Sequence, residues 1–144
     1  MALIQFNIGE VTKAIEARIE DTLEVVGNEA VAWSNDCLRS NGSVVSGNLL
    51  HSVTYSTDRT QGPVGADIKH LSPSAPGANL GLSDTKLAVH IGSNVIYAAR
   101  VEFGFTGKDS LGRYYNQPAK SYLRAGILAH KATILKRFED AVRG

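Results

Sequence analysis

The sequence predicts an α+β fold: a long N-terminal helix and a C-terminal helix packed on a small, mostly antiparallel sheet, with long loop arms between elements. Three observations predict it. An apolar stripe recurs at the helical period through the first quarter of the chain. Two later stretches alternate in the manner of strands, and a second helical stripe closes the chain.

The first helix spans Ile8 to Arg39. Val11, Ile15, Ile19, Leu23, Val26, Ala30, Trp33 and Cys37 are spaced by three or four residues. Their mean spacing of about 3.7 is the helical period. Glu10, Lys13, Glu20, Glu24 and Asn28 fall on the opposite, wet face. Gly27 costs about 1 kcal/mol against alanine inside a helix and marks a candidate bend. Ser40-Asn41-Gly42-Ser43 supplies turn-forming residues that end the helix.

Leu49 to Thr57 reads as a strand, with Leu49, Val53 and Tyr55 on one face and Ser52, Thr54 and Ser56 on the other. Lys86 to Gly92 reads as a second, with Leu87, Val89 and Ile91 on one side. Between them Asp58–Asp84 is rich in Gly, Pro, Ser and Asp and reads as loop, with Gly65–Leu71 the stretch able to hold a short strand. A second arm, Gly104 to Gln117, has the pattern of a hairpin turning at Asp109-Ser110-Leu111-Gly112. The closing helix runs from Ser121 to Val142 on the stripe Leu123, Ile127, Ile134 and Phe138, widened by Leu128 and Leu135.

The totals narrow the function classes. At 144 residues the chain has the usual size of one domain. Fifteen basic residues against fourteen acidic ones leave a formal charge of +1, so no global field favours nucleic acid or a membrane surface. Cys37 is the single cysteine, which excludes an intrachain disulfide and suits a reducing compartment. The N-terminus lacks the basic start and apolar run of a signal peptide, and no run approaches the roughly 18 apolar residues of a membrane helix. These features give the expectation of a cytosolic, single-domain protein.

Reactive chemistry finds little support. His51, His70, His90 and His130 lie in separate segments without helical metal-ligand spacing, so no metal site is expected. There is no Gly-x-Ser-x-Gly elbow, and His51 and Ser52, as strand neighbours, would point apart. Cys37 falls on the apolar helix face as a small core residue. Glu102, between Val101 and Phe103, is a candidate desolvated acid without a second carboxylate at a readable spacing. Pairing with a base or a backbone amide is the favoured reading for it. The glycines around Gly62 and Gly77 match neither phosphate-binding pattern. Lys131, Lys136 and Arg137 are read as a solvated helix face whose cations suit the dipole. No catalytic residue, cofactor or metal is therefore expected.

Two stretches together carry a resemblance. Ser46-Gly47-Asn48-Leu49-Leu50-His51-Ser52-Val53 is similar to the small-hydroxyl, Gly, x, Leu, x, x, Ser, apolar run of a family of tailed-phage neck proteins. Tyr97-Ala98-Ala99-Arg100-Val101-Glu102-Phe103-Gly104 resembles that family's Tyr-Ala-x-x-Val-Glu-x-Gly run. A weaker likeness is Pro118 followed by Tyr122-Leu123-Arg124-Ala125 before the last helix. The order of elements also resembles the family's, from about Val11 to Val142. The chain departs from it at Phe105, where the family commonly has Thr, and in the length of Asp58–Asp84 and of the arm after Phe105.

The resemblance implies a structural role in the head–tail joining, or tail-completion, region of a virion assembled in the host cytoplasm. The expected form is a homo-oligomeric ring of six or twelve copies between the capsid portal and the tail. Its neighbours would be head-completion or adaptor proteins and tail-terminator or tube proteins. DNA would pass through the lumen without sequence-specific binding, and no membrane is involved. On this reading Ser46 and Gly47 turn the chain into the sheet, while Leu49 and Ser52 belong to the first motif. Tyr97, Val101 and Phe103 pack the second motif, to which Ala98 also belongs, on the core, a hydrogen-bonded partner holds Glu102, and Gly104 closes the run. Phe105, Tyr114 and Tyr115 on the arm are the candidate subunit contacts. Another phage tail or minor capsid component is the alternative, followed by a small binding module or a hydrolase.

Overall fold

A computed structural model of the chain describes residues 5, 7–42 and 47–144. Helix α1 (Ile8–Ser40) is followed by a short helix α2 (Asn48–Ser52) and the strands β1 (Thr54–Ser56) and β2 (His90–Gly92). Helix α3 (Ala98–Phe103), the hairpin β3 (Phe105–Lys108) and β4 (Tyr114–Gln117), and the helices α4 (Leu123–Leu128) and α5 (Lys131–Arg143) complete the order. The class is α+β, with a long N-terminal helix, C-terminal helices and two small antiparallel sheets among the described residues. Tyr55 pairs with Ile91 in one sheet, and Phe105 to Lys108 pair with Gln117 to Tyr114 in the other.

Asn7 starts α1 by accepting the Glu10 amide on its side-chain oxygen at 3.2 Å. The predicted stripe is buried only along part of the helix. Of its members Leu23, Val26 and Ala30 are buried, whereas Val11 is 51% exposed and Cys37 only half-buried beside the buried Leu38, which the stripe did not include. The helix is about 50 Å long and outruns the elements packed on it. Gly27 marks a close approach inside a continuous helix: a Cβ there would lie 2.6 Å from the Tyr55 ring.

Several expected elements are cut or replaced. The strand expected over Leu49–Thr57 is a turn of helix followed by a three-residue strand. Gly47 takes a left-handed conformation (φ 81) ahead of α2, and the Ser52 hydroxyl bonds back to the Leu49 carbonyl at 2.7 Å. The sequence alternates there, but residues 52–57 are all buried, so both faces of β1 are covered. The strand expected over Lys86–Gly92 shrinks to His90–Gly92, because Leu87 sits at positive φ (54) outside the β region and is 45% exposed. The closing helix breaks at Ala129 and His130. There the His130 ring stacks flat on Trp33 at 4.1 Å while its Nδ1 meets the Gly126 carbonyl at 3.0 Å.

The main core gathers Leu38, Leu49, Leu50, Val53, Ala98 and Tyr122, with Val31, Ile91, Tyr97, Val101 and Leu123 packed against it. Burying one such side chain contributes about 1.5–3 kcal/mol. Gly126 lets α4 reach α1, since a Cβ there would lie 2.9 Å from the Trp33 carbonyl oxygen. The 58–84 segment lies on this body and contains no named strand, with Leu71 joined to Val95 by an isolated bridge. Its amides are tied in at Gly62 to Tyr55 (2.7 Å) and Ser83 to Thr57 (2.9 Å), and Ser72 reaches Asn94 at 2.8 Å.

Candidate functional site

Several described residues of the family resemblance lie close together. Three of them do so through Glu102. It lies at the end of α3, 5% exposed, and its carboxylate faces the start of α4. Oε2 accepts the amides of Tyr122 (2.8 Å) and Leu123 (2.9 Å), while Oε1 accepts the Arg124 amide (3.0 Å) and the Ser121 hydroxyl (2.9 Å). The first amides of a helix have no partner within it, so the carboxylate satisfies donors that burial would otherwise strand. Burial pushes the Glu102 carboxyl up, but its four hydrogen bonds outweigh that and hold it below its ordinary value. Glu102 is thus a charged structural acceptor in this arrangement.

Tyr122 is fully buried beside it, and its hydroxyl donates to the Ala98 carbonyl at 3.3 Å. Burial first, and the Glu102 carboxylate second, push the phenol far up, so it stays neutral and serves as a donor. Gly104 ends α3 at φ 77, and a Cβ there would lie 2.8 Å from both Ala119 N and Gln117 O. The glycine thereby lets the chain after Pro118 return against α3. The Lys120 amide then bonds the Val101 carbonyl at 2.8 Å.

The first motif joins the same knot. Asn48 Nδ2 donates to the Tyr97 hydroxyl (2.9 Å) and to the Lys69 carbonyl (2.8 Å), and Asn48 Oδ1 accepts the Lys69 amide. Ser52 is fully buried with its hydroxyl 2.6 Å from that of Ser93. Leu49 is buried in the core with Ala98, and Tyr97 and Val101 are half-buried against it. Ser46 lies outside the described residues. Phe103, expected to pack inward, is 73% exposed, on the rim of the groove between α3 and α4.

The hairpin arm is built around Asp109. Oδ1 accepts the amides of Leu111 and Arg113 at 2.9 Å, and Oδ2 accepts from Arg113 Nε at 2.6 Å. Phe105 lies half-buried under the Arg100 guanidinium (4.0 Å to the ring centre) and tilts against Tyr115. Leu111 and Tyr114 are 75% and 65% exposed, so the arm presents apolar surface outward.

Other candidate groups remain apart. His90 meets Ser83 and His130 meets Gly126, and no metal-holding cluster of His, Cys, Asp and Glu occurs among the described residues. Arg137 pairs with Glu29 at 2.6 Å and Lys136 with Asp140 at 3.4 Å. Among the described residues no helix is long and apolar enough to cross a membrane. Sequence reasoning missed Asn48, Ser93, Ser121 and Tyr122 as partners of the motifs. Only Ser121, a helix-start residue type, carried a local signal. Comparison with protein-family models, curated proteins and solved structures gives no match for this chain.

Proposed function

We propose that this chain is a structural subunit of a tailed-phage neck. In this role copies form a ring that joins the capsid portal region to the tail and surrounds part of the DNA passage. The observation that carries the reading is the knot itself: Asn48 bonds Tyr97 and Glu102 holds Ser121 to Arg124, so the three stretches are joined although they are far apart in sequence. The three stretches that resemble the neck family are therefore parts of one structural device, with their polar groups engaged in holding the fold.

The outer surface supports an assembly role. Phe103, Leu111, Tyr114 and Leu128 are large apolar side chains more than half exposed around α3, the hairpin and α4. Scattered exposure is ordinary, but a projecting arm with an apolar tip suits a protein contact. Head-completion or adaptor proteins and tail-terminator or tube proteins are the expected neighbours. DNA passes the lumen without base-specific contacts, and a net charge of +1 favours such weak engagement.

The test is to localise the chain in intact particles. Peptide mass spectrometry of purified virions and gold labelling are expected to find it at the head–tail junction. A location along the tail would instead favour another tail component. Absence from particles that otherwise contain a complete neck would contradict the proposal.

A further inference from the structure

Helix α5 packs on α1 along one side and leaves another side open. Its half-buried residues Ile134, Phe138 and Ala141 share a side with Arg137, which reaches Glu29 of α1 at 2.6 Å. About 100° around the helix from Ile134 stands Leu135, 54% exposed. Within about 60° of Leu135 on the same helix lie Lys131, Ala132, Phe138, Glu139 and Val142. Leu135, Phe138, Glu139 and Val142 line a shallow apolar hollow of about 370 Å³ there, with Arg143 at its edge.

This face is complementary to its own reversed copy. Lys131 stands four residues before Leu135 and Glu139 four residues after it. Lay a second α5 antiparallel on the first, Leu135 against Leu135, and each position before Leu135 comes level with the one equally far after it in the other copy. Lys131 of each copy then meets Glu139 of the other, and small Ala132 comes level with bulky Phe138. Val142 reaches the end of the other copy's α4, where Leu128 is 56% exposed. Neither Lys131 nor Glu139 has an ion-pair or hydrogen-bond partner among the described residues, whereas Lys136, away from this face, is paired with Asp140 at 3.4 Å. A parallel pair would set Lys131 against Lys131 and Glu139 against Glu139, and both contacts would repel.

We propose that two copies of this chain pair through α5, antiparallel about Leu135. The same patch serves both copies, so the contact closes at two and is separate from the head-to-tail contact that a ring requires. It is therefore independent of the neck reading. Helix α5 has 13 residues. At about 20 Å long it covers less than the roughly 800 Å² per partner of a standard interface, so pairing is weak and concentration-dependent.

The test is sedimentation equilibrium and native mass spectrometry of the full chain, with the melting curve of each variant as the folding reference. Wild type is expected to pair reversibly as its concentration rises toward about 1 mM. Lys131→Glu and Glu139→Lys each bring like charges together and are expected to weaken self-pairing by about tenfold. Mixed in equal amounts, these two variants present opposite charges at both sites. They are expected to form a heteropair, told apart by mass, in large excess over either homopair. Leu135→Asp is expected to remove pairing while leaving the melting curve unchanged. Wild type that forms no pair at about 1 mM, or a mixture with no preference for the heteropair, would overturn the contact. Rings of six or twelve copies seen alongside that result would leave the neck reading standing. A preferred heteropair without rings would support the contact and count against the ring alone.

Discussion

Glu102 stays charged inside the fold because every hydrogen bond it accepts comes from the segment it must hold, Ser121 to Arg124. Replacing it with alanine strands three backbone amides at the start of α4 and is expected to cost about 2–3 kcal/mol, read as a lower midpoint in urea. The pH dependence follows from the depressed folded-state pKa. The carboxylate's stabilisation is complete above its ordinary value of 4.5 and is lost as pH falls through the lower folded value. The gap in stability between wild type and Glu102→Gln is therefore expected to narrow below pH 4.5; a gap that widens there would contradict this role. That Glu102 sits among apolar neighbours was legible in the sequence. Its partners were not, because a carboxylate capping a helix that begins about twenty positions later leaves no local spacing to read.

At the scale of elements, the chain shows which patterns survive folding. The period of α1 and the turn residues of the hairpin act locally, so both elements form close to where the sequence predicts them. The stripe of the closing helix was equally regular, yet the helix breaks where His130 stacks on Trp33, a contact made by tertiary packing. Leu49 to Thr57 misled for a related reason. Apolar–polar alternation signals a half-buried strand, but here the polar side is buried too, the Ser52 and Thr57 hydroxyls with partners at Ser93 and Thr60. The hairpin β3–β4 packs chiefly against itself and projects apolar side chains outward. Replacing residues 106–116 by a short glycine-rich turn is thus expected to change stability by no more than about 0.5 kcal/mol in a thermal melt. The same change is expected to weaken assembly. Loss of folding in that variant would make the arm part of the core instead.

For the whole molecule, the balance of charge and the distribution of apolar surface bear on the same question. The chain is nearly neutral overall, and large apolar side chains are exposed both at the start of α1 (Ile8, Val11) and around α3, the hairpin and α4 (Phe103, Leu111, Tyr114, Leu128). In the proposed neck role identical copies add head-to-tail, and closure of that addition gives a ring. The most direct test of the account is native mass spectrometry of the purified chain across a concentration series, with negative-stain images of the same samples. The account predicts closed assemblies of six or twelve copies. A chain that stays monomeric at every concentration, and remains so when a portal or tail template is added, would contradict it.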